Sequence, residues 1–241
     1  MNTVSPTSAA TEPKLLVTDP AGPVRGVALV LHGGRSKSRM PVRATQLAVL
    51  RMRPFVAALR RYAREGLVVA QVRYRVRGWN GADRSPVPDT LWALDRLTAR
   101  FPDVPIALVG HSMGGRAAMY AAGHEAVRSV VGLAPWIEPG DAVAPLAGRR
   151  VLIAHGASDR MTDPRASASF ARGAETVAAT MTYVEVEGER HAMLRRASLW
   201  HELSTGFVLG TLLGKDPDGT VRSPVANVVA KALAGQSHLV V

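Results

Sequence analysis

Ser112 lies in the run Gly110-His111-Ser112-Met113-Gly114-Gly115, between the apolar stretch Ile106 to Val109 and an Ala-rich segment. This is the G-x-S-x-G spacing in a strand–turn–helix setting. A serine hydroxyl is a weak nucleophile until a base takes its proton. The turn forces Ser112 into strained backbone angles, and Gly110 and Gly114 remove side chains that would clash across it. The hydroxyl is thereby presented at the carboxyl end of a strand, where open α/β sheets place their ligands. Amides at the start of the next helix point at the same spot, so the Met113 N–H is a candidate donor to a developing oxyanion. The competing reading is a Gly-rich strand–helix turn without chemistry. The flanking strand and helix favour the first reading.

Elements of two kinds must position that serine. Short apolar runs recur at Val27 to Leu31, Leu67 to Val72, Ile106 to Val109, Ser129 to Leu133, Val151 to Ala154 and Met181 to Val186. Runs without strict alternation are the pattern of strands buried on both faces. Helical patterns lie between them: Gln46 to Arg64, which Pro54 should break or kink, Asp89 to Arg100 with Asp89 as a cap, and Met113 to Gly123. Pro164 to Ala174, Ala192 to Leu213 and Val221 to Ala234 follow. Strands alternating with helices predict an α/β fold, a doubly wound and mostly parallel sheet with helices on both faces. Residues 24–213 form the expected domain. Residues 1–23, rich in Ser, Thr, Ala and Pro, read as a disordered or extended lead-in, and 214–241 as an appendage of one helix and a tail.

With the elbow in this context, the chain resembles an α/β-hydrolase of the small, lidless serine-esterase or dienelactone-hydrolase-like kind, over about Val24 to Leu213. The resemblance implies an acid on a loop after a later strand. Val151 to Ala154 runs into His155-Gly156-Ala157-Ser158-Asp159, which places Asp159 on the same sheet edge as Ser112. Asp163, beside Pro164, and Asp141 are the alternatives, and a turn-forming Asp159 is the bland reading. The base comes last in the chain order Ser, Asp, His. His191 follows the run Met181 to Val186 through a Gly-containing loop, whereas His201 and His238 lack a preceding strand and His124 ends a helix. The implied roles are Ser112 as nucleophile, His191 as general base and Asp159 as the carboxylate behind it. The second oxyanion amide is expected from Leu31-His32-Gly33-Gly34-Arg35, at Gly34 with Arg35 as alternate. Arg35, Trp79 and Trp136 are candidate pocket residues. Only Ile137 to Arg149 is available where the family usually inserts a lid.

Composition narrows the remaining classes. The chain has 241 residues and no cysteine, so disulfides and thiolate chemistry are excluded. No charged n-region followed by an apolar h-region opens the sequence, and Gly206 to Gly214 is too short to span a bilayer, so a cytoplasmic protein without a membrane span is expected. The net charge is +11. Between Arg25 and Arg77 there are twelve arginines and Lys37 against the single acid Glu65. That block reads either as a solvated surface or as attraction for an anionic substrate or partner near the site mouth. No nucleic-acid recognition motif accompanies it. The resemblance implies no cofactor and no metal. It implies cleavage of a carboxylic ester, thioester or lactone through an acyl-enzyme. An acyltransferase, a perhydrolase and a catalytically silent binding protein are the alternatives on the same fold. Epoxide and haloalkane hydrolysis are disfavoured, because relatives doing that chemistry carry Asp where Ser112 stands.

Overall fold

The structure, a computed structural model, describes residues 12–241. Eight strands form one sheet: β1 (Lys14–Val17), β2 (Gly26–Leu31), β3 (Leu67–Arg73), β4 (Ile106–His111), β5 (Val127–Leu133), β6 (Arg150–Gly156), β7 (Thr180–Val186) and β8 (His238–Val240). Their spatial order is β1-β3-β2-β4-β5-β6-β7-β8. Every pairing is parallel except β1 with β3. The six apolar runs are the six central strands.

Seven α-helices cover the two faces: α1 (Leu47–Leu50), α2 (Arg53–Arg60), α3 (Pro86–Arg100), α4 (Met113–Ala121), α5 (Pro164–Ala174), α6 (Ala197–Leu213) and α7 (Ser223–Leu233). Side chains of a strand alternate between faces, and two separate cores follow. Leu29, Val72, Leu108, Val130 and Ile153 pack with residues of α3, α4 and α5. Val30, Val69, Val109, Val131 and Leu152 pack with residues of α2, α6 and α7. Both faces being covered explains why the strands read as continuous apolar runs rather than alternating ones.

Several boundaries depart from the sequence reading, each for a local reason. Pro54 occupies the first turn of α2, where a missing N–H costs nothing, so the long pattern from Gln46 becomes two helices. Asp89 is no cap: it lies inside α3, where its carboxylate accepts from Arg75 N (2.8 Å) and Arg75 Nε (2.6 Å). Helix α6 begins at Ala197 instead of Ala192. The buried Glu189 carboxylate accepts the Arg195 N–H (3.0 Å) and Met193 sits at φ 54°, which holds 192–196 out of the helix.

The two ends of the chain also join the sheet. Within the segment read as a lead-in, Leu15 and Leu16 pair with Val72 and Gln71 in the antiparallel edge strand β1. Residues 1–11 of that reading lie outside the described residues. In the tail, His238 to Val240 pairs with Tyr183 to Glu185, and α7 packs against α6. The segment after 214 thus supplies one helix to the second core and the last strand of the sheet.

Candidate active site

Strand β4 ends at His111 and α4 starts at Met113, which leaves Ser112 alone to make the turn. Its backbone angles are φ 56°, ψ −120°, a region that ordinary residues occupy only under strain. The surroundings hold it there. Its N–H donates to the Leu133 carbonyl (3.0 Å), and its carbonyl accepts from Arg116 N (3.1 Å) and Trp136 N (3.1 Å). Both elbow glycines are required by contact. A Cβ on Gly110 would strike the Gly114 carbonyl, and one on Gly114 would lie 2.6 Å from the His32 and Leu31 carbonyl oxygens. The elbow helix can thus lie directly on the end of β2.

The loop after β2 comes against the serine from the other side. A Cβ on Gly33 would sit 3.4 Å from Ser112 Cβ. Buried His32 shapes this loop: Nδ1 bonds the Gly33 carbonyl (2.7 Å) and Nε2 accepts the Tyr74 N–H (3.3 Å). Burial pushes its pKa down to about 4, so it stays a neutral fixture at working pH. Among the described residues, neither the Gly34 N–H nor the Met113 N–H has a protein acceptor. The N–H of the alternate, Arg35, already donates to the Arg77 carbonyl at 2.9 Å.

His191 stands on the loop after β7. Its Nδ1 donates to Asp159 Oδ2 at 2.8 Å, and its carbonyl accepts from His111 Nε2 at 3.0 Å, with the two rings 4.8 Å apart. Burial first, and then the neighbouring His191, hold the His111 pKa down at about 3, so it serves as a neutral donor. Asp159 is buried and saturated with donors. Oδ2 takes His191, His155 Nε2 (3.1 Å) and Thr162 Oγ1 (2.8 Å), while Oδ1 takes the N–H groups of Met161 (2.8 Å) and Thr162 (3.2 Å). Burial alone would raise its carboxyl pKa. The hydrogen bonds from His155, His191 and Met161 outweigh that and hold it well below the usual carboxylate range.

The rival acids are occupied elsewhere. Asp163 caps α5 by accepting the Arg165 N–H (2.9 Å), and Asp141 pairs with Arg116 (2.7 Å) and Tyr120 (2.7 Å).

Ser112, His191, Gly34, Met113, Arg35 and Trp136 line one open cleft of about 480 Å³, with Thr162, Met161, Ser36 and Lys37 completing it. Ser112 and His191 share its wall, although among the described residues no hydrogen bond joins them; such contacts often tighten only when substrate binds. Trp79 is not part of that wall. It is buried one layer back, under the Arg116 guanidinium, which lies 4.3 Å from the Trp79 ring and 4.7 Å from the Trp136 ring. Position in a loop could not distinguish the two tryptophans. Thr162, His155 and Lys37 were missed as well: the first two meet Asp159 within their own segment but no motif marks them, and Lys37 reaches the wall only through the path of its loop. Among the described residues, no group of three or more His, Cys, Asp or Glu is placed to hold a metal ion, and no helix is long and apolar enough to cross a membrane.

A serine held in a strained turn between strand and helix of a mostly parallel sheet defines the α/β-hydrolase class, here with no large cap domain among the described residues. The chain belongs to the alpha/beta hydrolase family, whose sequence model matches residues 28–241. No curated protein matches it. Among solved structures it is similar to an alpha-beta serine hydrolase homologue from Coxiella burnetii, at 18% identity over 80% of this chain and 90% of that one, with a TM-score of 0.60. It is similar to a monoacylglycerol lipase from Paleococcus ferrophilus (14% identity, 82% and 99% covered, TM-score 0.59). A third likeness is to an α/β serine hydrolase without lid from Xanthomonas campestris (17% identity, 92% and 87% covered, TM-score 0.53). At such identities the likeness is one of fold.

Proposed function

We propose that the protein is a serine hydrolase that cleaves small carboxylic esters, thioesters or lactones through an acyl-enzyme. The observation that carries this reading is the His191 Nδ1 to Asp159 Oδ2 hydrogen bond, 2.8 Å long, behind a cleft whose wall also holds Ser112. Nδ1 being the protonated nitrogen, the Nε2 lone pair is left for the serine proton. Ser112 Oγ attacks the carbonyl carbon as its proton passes to His191. The carbonyl oxygen becomes an oxyanion that the unpartnered N–H groups of Gly34 and Met113 would receive. Collapse expels the alcohol, thiol or ring oxygen, which takes the proton from His191. Water then attacks the ester on Ser112 by the same route and frees the acid. Asp159, held ionised by its surroundings, stabilises the imidazolium in both halves.

Water is the favoured acceptor because the cleft is open. The connection from β5 to β6 holds one short helical turn, Ala144–Leu146, and otherwise only loops and bends. Among the described residues none beyond His191 lines the cleft, which supports a site that α6, α7 and the C-terminal strand leave open. The test is labelling with a fluorophosphonate probe followed by mass spectrometry. Modification at Ser112 alone, abolished in Ser112→Ala, is expected. A label on another residue, or none, sinks the proposal.

A further inference from the structure

The block of positive charge between Arg25 and Arg77 resolves into two unequal parts in the fold. Four of its members are spent or remote. Arg39 pairs with Asp83 (2.6 Å), Arg75 with the buried Asp89 (2.6 Å), and Arg77 Nε donates to the Pro41 carbonyl (3.1 Å). Arg61 lines a different groove, between α2 and α6. Only Arg35 and Lys37 stand in the wall of the cleft that holds Ser112. Among the described residues neither forms an ion pair, and no carboxylate lines the cleft. Glu138 and Asp83 are already matched, by Arg116 (3.0 Å) and Arg39.

The backbone that carries these two cations is not a free loop. The Arg35 N–H donates to the Arg77 carbonyl (2.9 Å), and the Trp79 N–H returns a bond to the Arg35 carbonyl (2.8 Å), so Arg35 and Gly78 form a parallel bridge. The Ser38 N–H is held by Asn80 Oδ1 (2.9 Å). The segment is thus pinned on both sides of Lys37, immediately after Gly34. Two cations on a pinned segment lose less freedom on binding than two on a mobile one, and an open cleft lets an anion approach without crossing apolar walls.

From this we infer that Arg35 and Lys37 form an anion subsite of the cleft, and that the substrate is an ester bearing a carboxylate or other compact oxyanion within reach of its scissile carbonyl. The assignment rests on the serine-hydrolase reading and names the substrate class for it. The guanidinium offers a fork matched to two oxygens and the ammonium a point charge, so together they hold one oxyanion group.

The experiment has a kinetic arm and a binding arm. In the first, kcat/KM is measured for two matched pairs: 4-acetoxybenzoate against 4-acetoxybenzamide, and the p-nitrophenyl monoester of adipic acid against p-nitrophenyl hexanoate. The anionic member of at least one pair is expected to lead by about tenfold at low salt, which equals about 1.4 kcal/mol, and the ratio should shrink as salt screens it. Which pair responds tells whether the anion lies on the acyl or the leaving side. In R35Q/K37Q the ratio should fall toward one, whereas R39Q, whose charge Asp83 already matches, should retain it. Ratios near one for both pairs, or a ratio unchanged in R35Q/K37Q, overturn the subsite. In the second arm, binding of the uncleavable 4-acetamidobenzoate and 4-acetamidobenzamide to Ser112→Ala is compared by NMR titration. Preference for the carboxylate, lost in the added R35Q/K37Q background, supports the subsite even if no ester is cleaved. Equal binding of both overturns it. Failure of the catalytic reading is thereby seen separately, as unlabelled Ser112.

Discussion

Replacing Asp159 by Asn changes one atom, and the structure dictates how the change propagates. The amide has one acceptor oxygen and one NH₂ donor for the two positions that Oδ1 and Oδ2 now fill. Oδ1 accepts two backbone N–H groups, from Met161 at 2.8 Å and Thr162 at 3.2 Å, which have no alternative protonation state. The amide oxygen must therefore take that place, and the NH₂ must face His191 Nδ1, His155 Nε2 and Thr162 Oγ1. Both imidazoles can adapt by moving their proton to the other nitrogen. Under the proposed mechanism that adaptation is fatal for His191, since Nε2 would then carry a hydrogen where it has to accept one from Ser112. Returning the proton to Nδ1 sets donor against donor at about 1–3 kcal/mol. Loss of the carboxylate charge beside the imidazolium adds about 4 kcal/mol at a separation of about 4 Å and an effective dielectric near 20. The total, about 5–7 kcal/mol, corresponds to a fall of about 10⁴- to 10⁵-fold in kcat. Steady-state hydrolysis of p-nitrophenyl acetate by Asp159→Asn and parent enzyme measures it, with circular dichroism to establish that the variant is folded. A loss smaller than tenfold in a folded variant would refute the tautomer argument and the role of Asp159 with it.

Other expectations follow from the same contacts. Gly34→Ala drives a methyl into the Arg77 carbonyl and the Met113 side chain, and should cost about 1–3 kcal/mol of stability and about 100-fold in kcat through displacement of the amide. Gly140→Ala, in open space at φ 86°, should cost about 1–2 kcal/mol with activity unchanged; urea melts and ester assays on both variants decide, and Gly34→Ala within threefold of parent activity defeats the argument. Acid should destabilise the fold, because His32 and His111 have folded pKa values of about 4 and about 3, below the ordinary 6.5. Below pH 6.5 the unfolded chain binds protons that these buried rings refuse, so their stabilisation is complete above that pH and is lost progressively down to about 3. Asp159, with its carboxyl held below the usual range, adds a loss in the same direction as pH falls below about 4. A urea midpoint that stays constant from pH 7.5 to 4.5 contradicts this. Finally, kcat/KM on p-nitrophenyl esters from acetate to palmitate should peak at short chains, because without a lid the later methylenes gain none of the roughly 0.8 kcal/mol that burial gives each. A steady rise to long chains would show that some wall of the cleft closes over the acyl group.

Which features were legible in the sequence depends on how local their causes are. The six central strands were visible because burial on both faces makes each an unbroken apolar run, and the sheet class followed from their alternation with helices. The elbow was visible because a turn forced between strand and helix admits only glycine at 110 and 114, where contacts with neighbouring backbone leave no room for a methyl. The cap at Asp163 is equally local, a contact between residues two apart just before Pro164 in the first turn of α5. Features made by long-range contact were not legible. Strands β1 and β8, of four and three residues, exist because the sheet offers them an edge, and their own pattern is too short to announce a strand. The start of α6 is decided by Glu189, buried beside Trp200 with Trp200 Nε1 donating to it at 2.9 Å. Thr162 reaches His191, 29 residues further on, and Lys37 rather than Trp79 reaches the cleft, because β2, β4, β5, β6 and β7 end in succession along the sheet and bring their loops together. Local sequence sets which backbone conformations are allowed; which side chains share a charge, a proton or a cavity wall is set by strands that are neighbours in the sheet and distant in the chain.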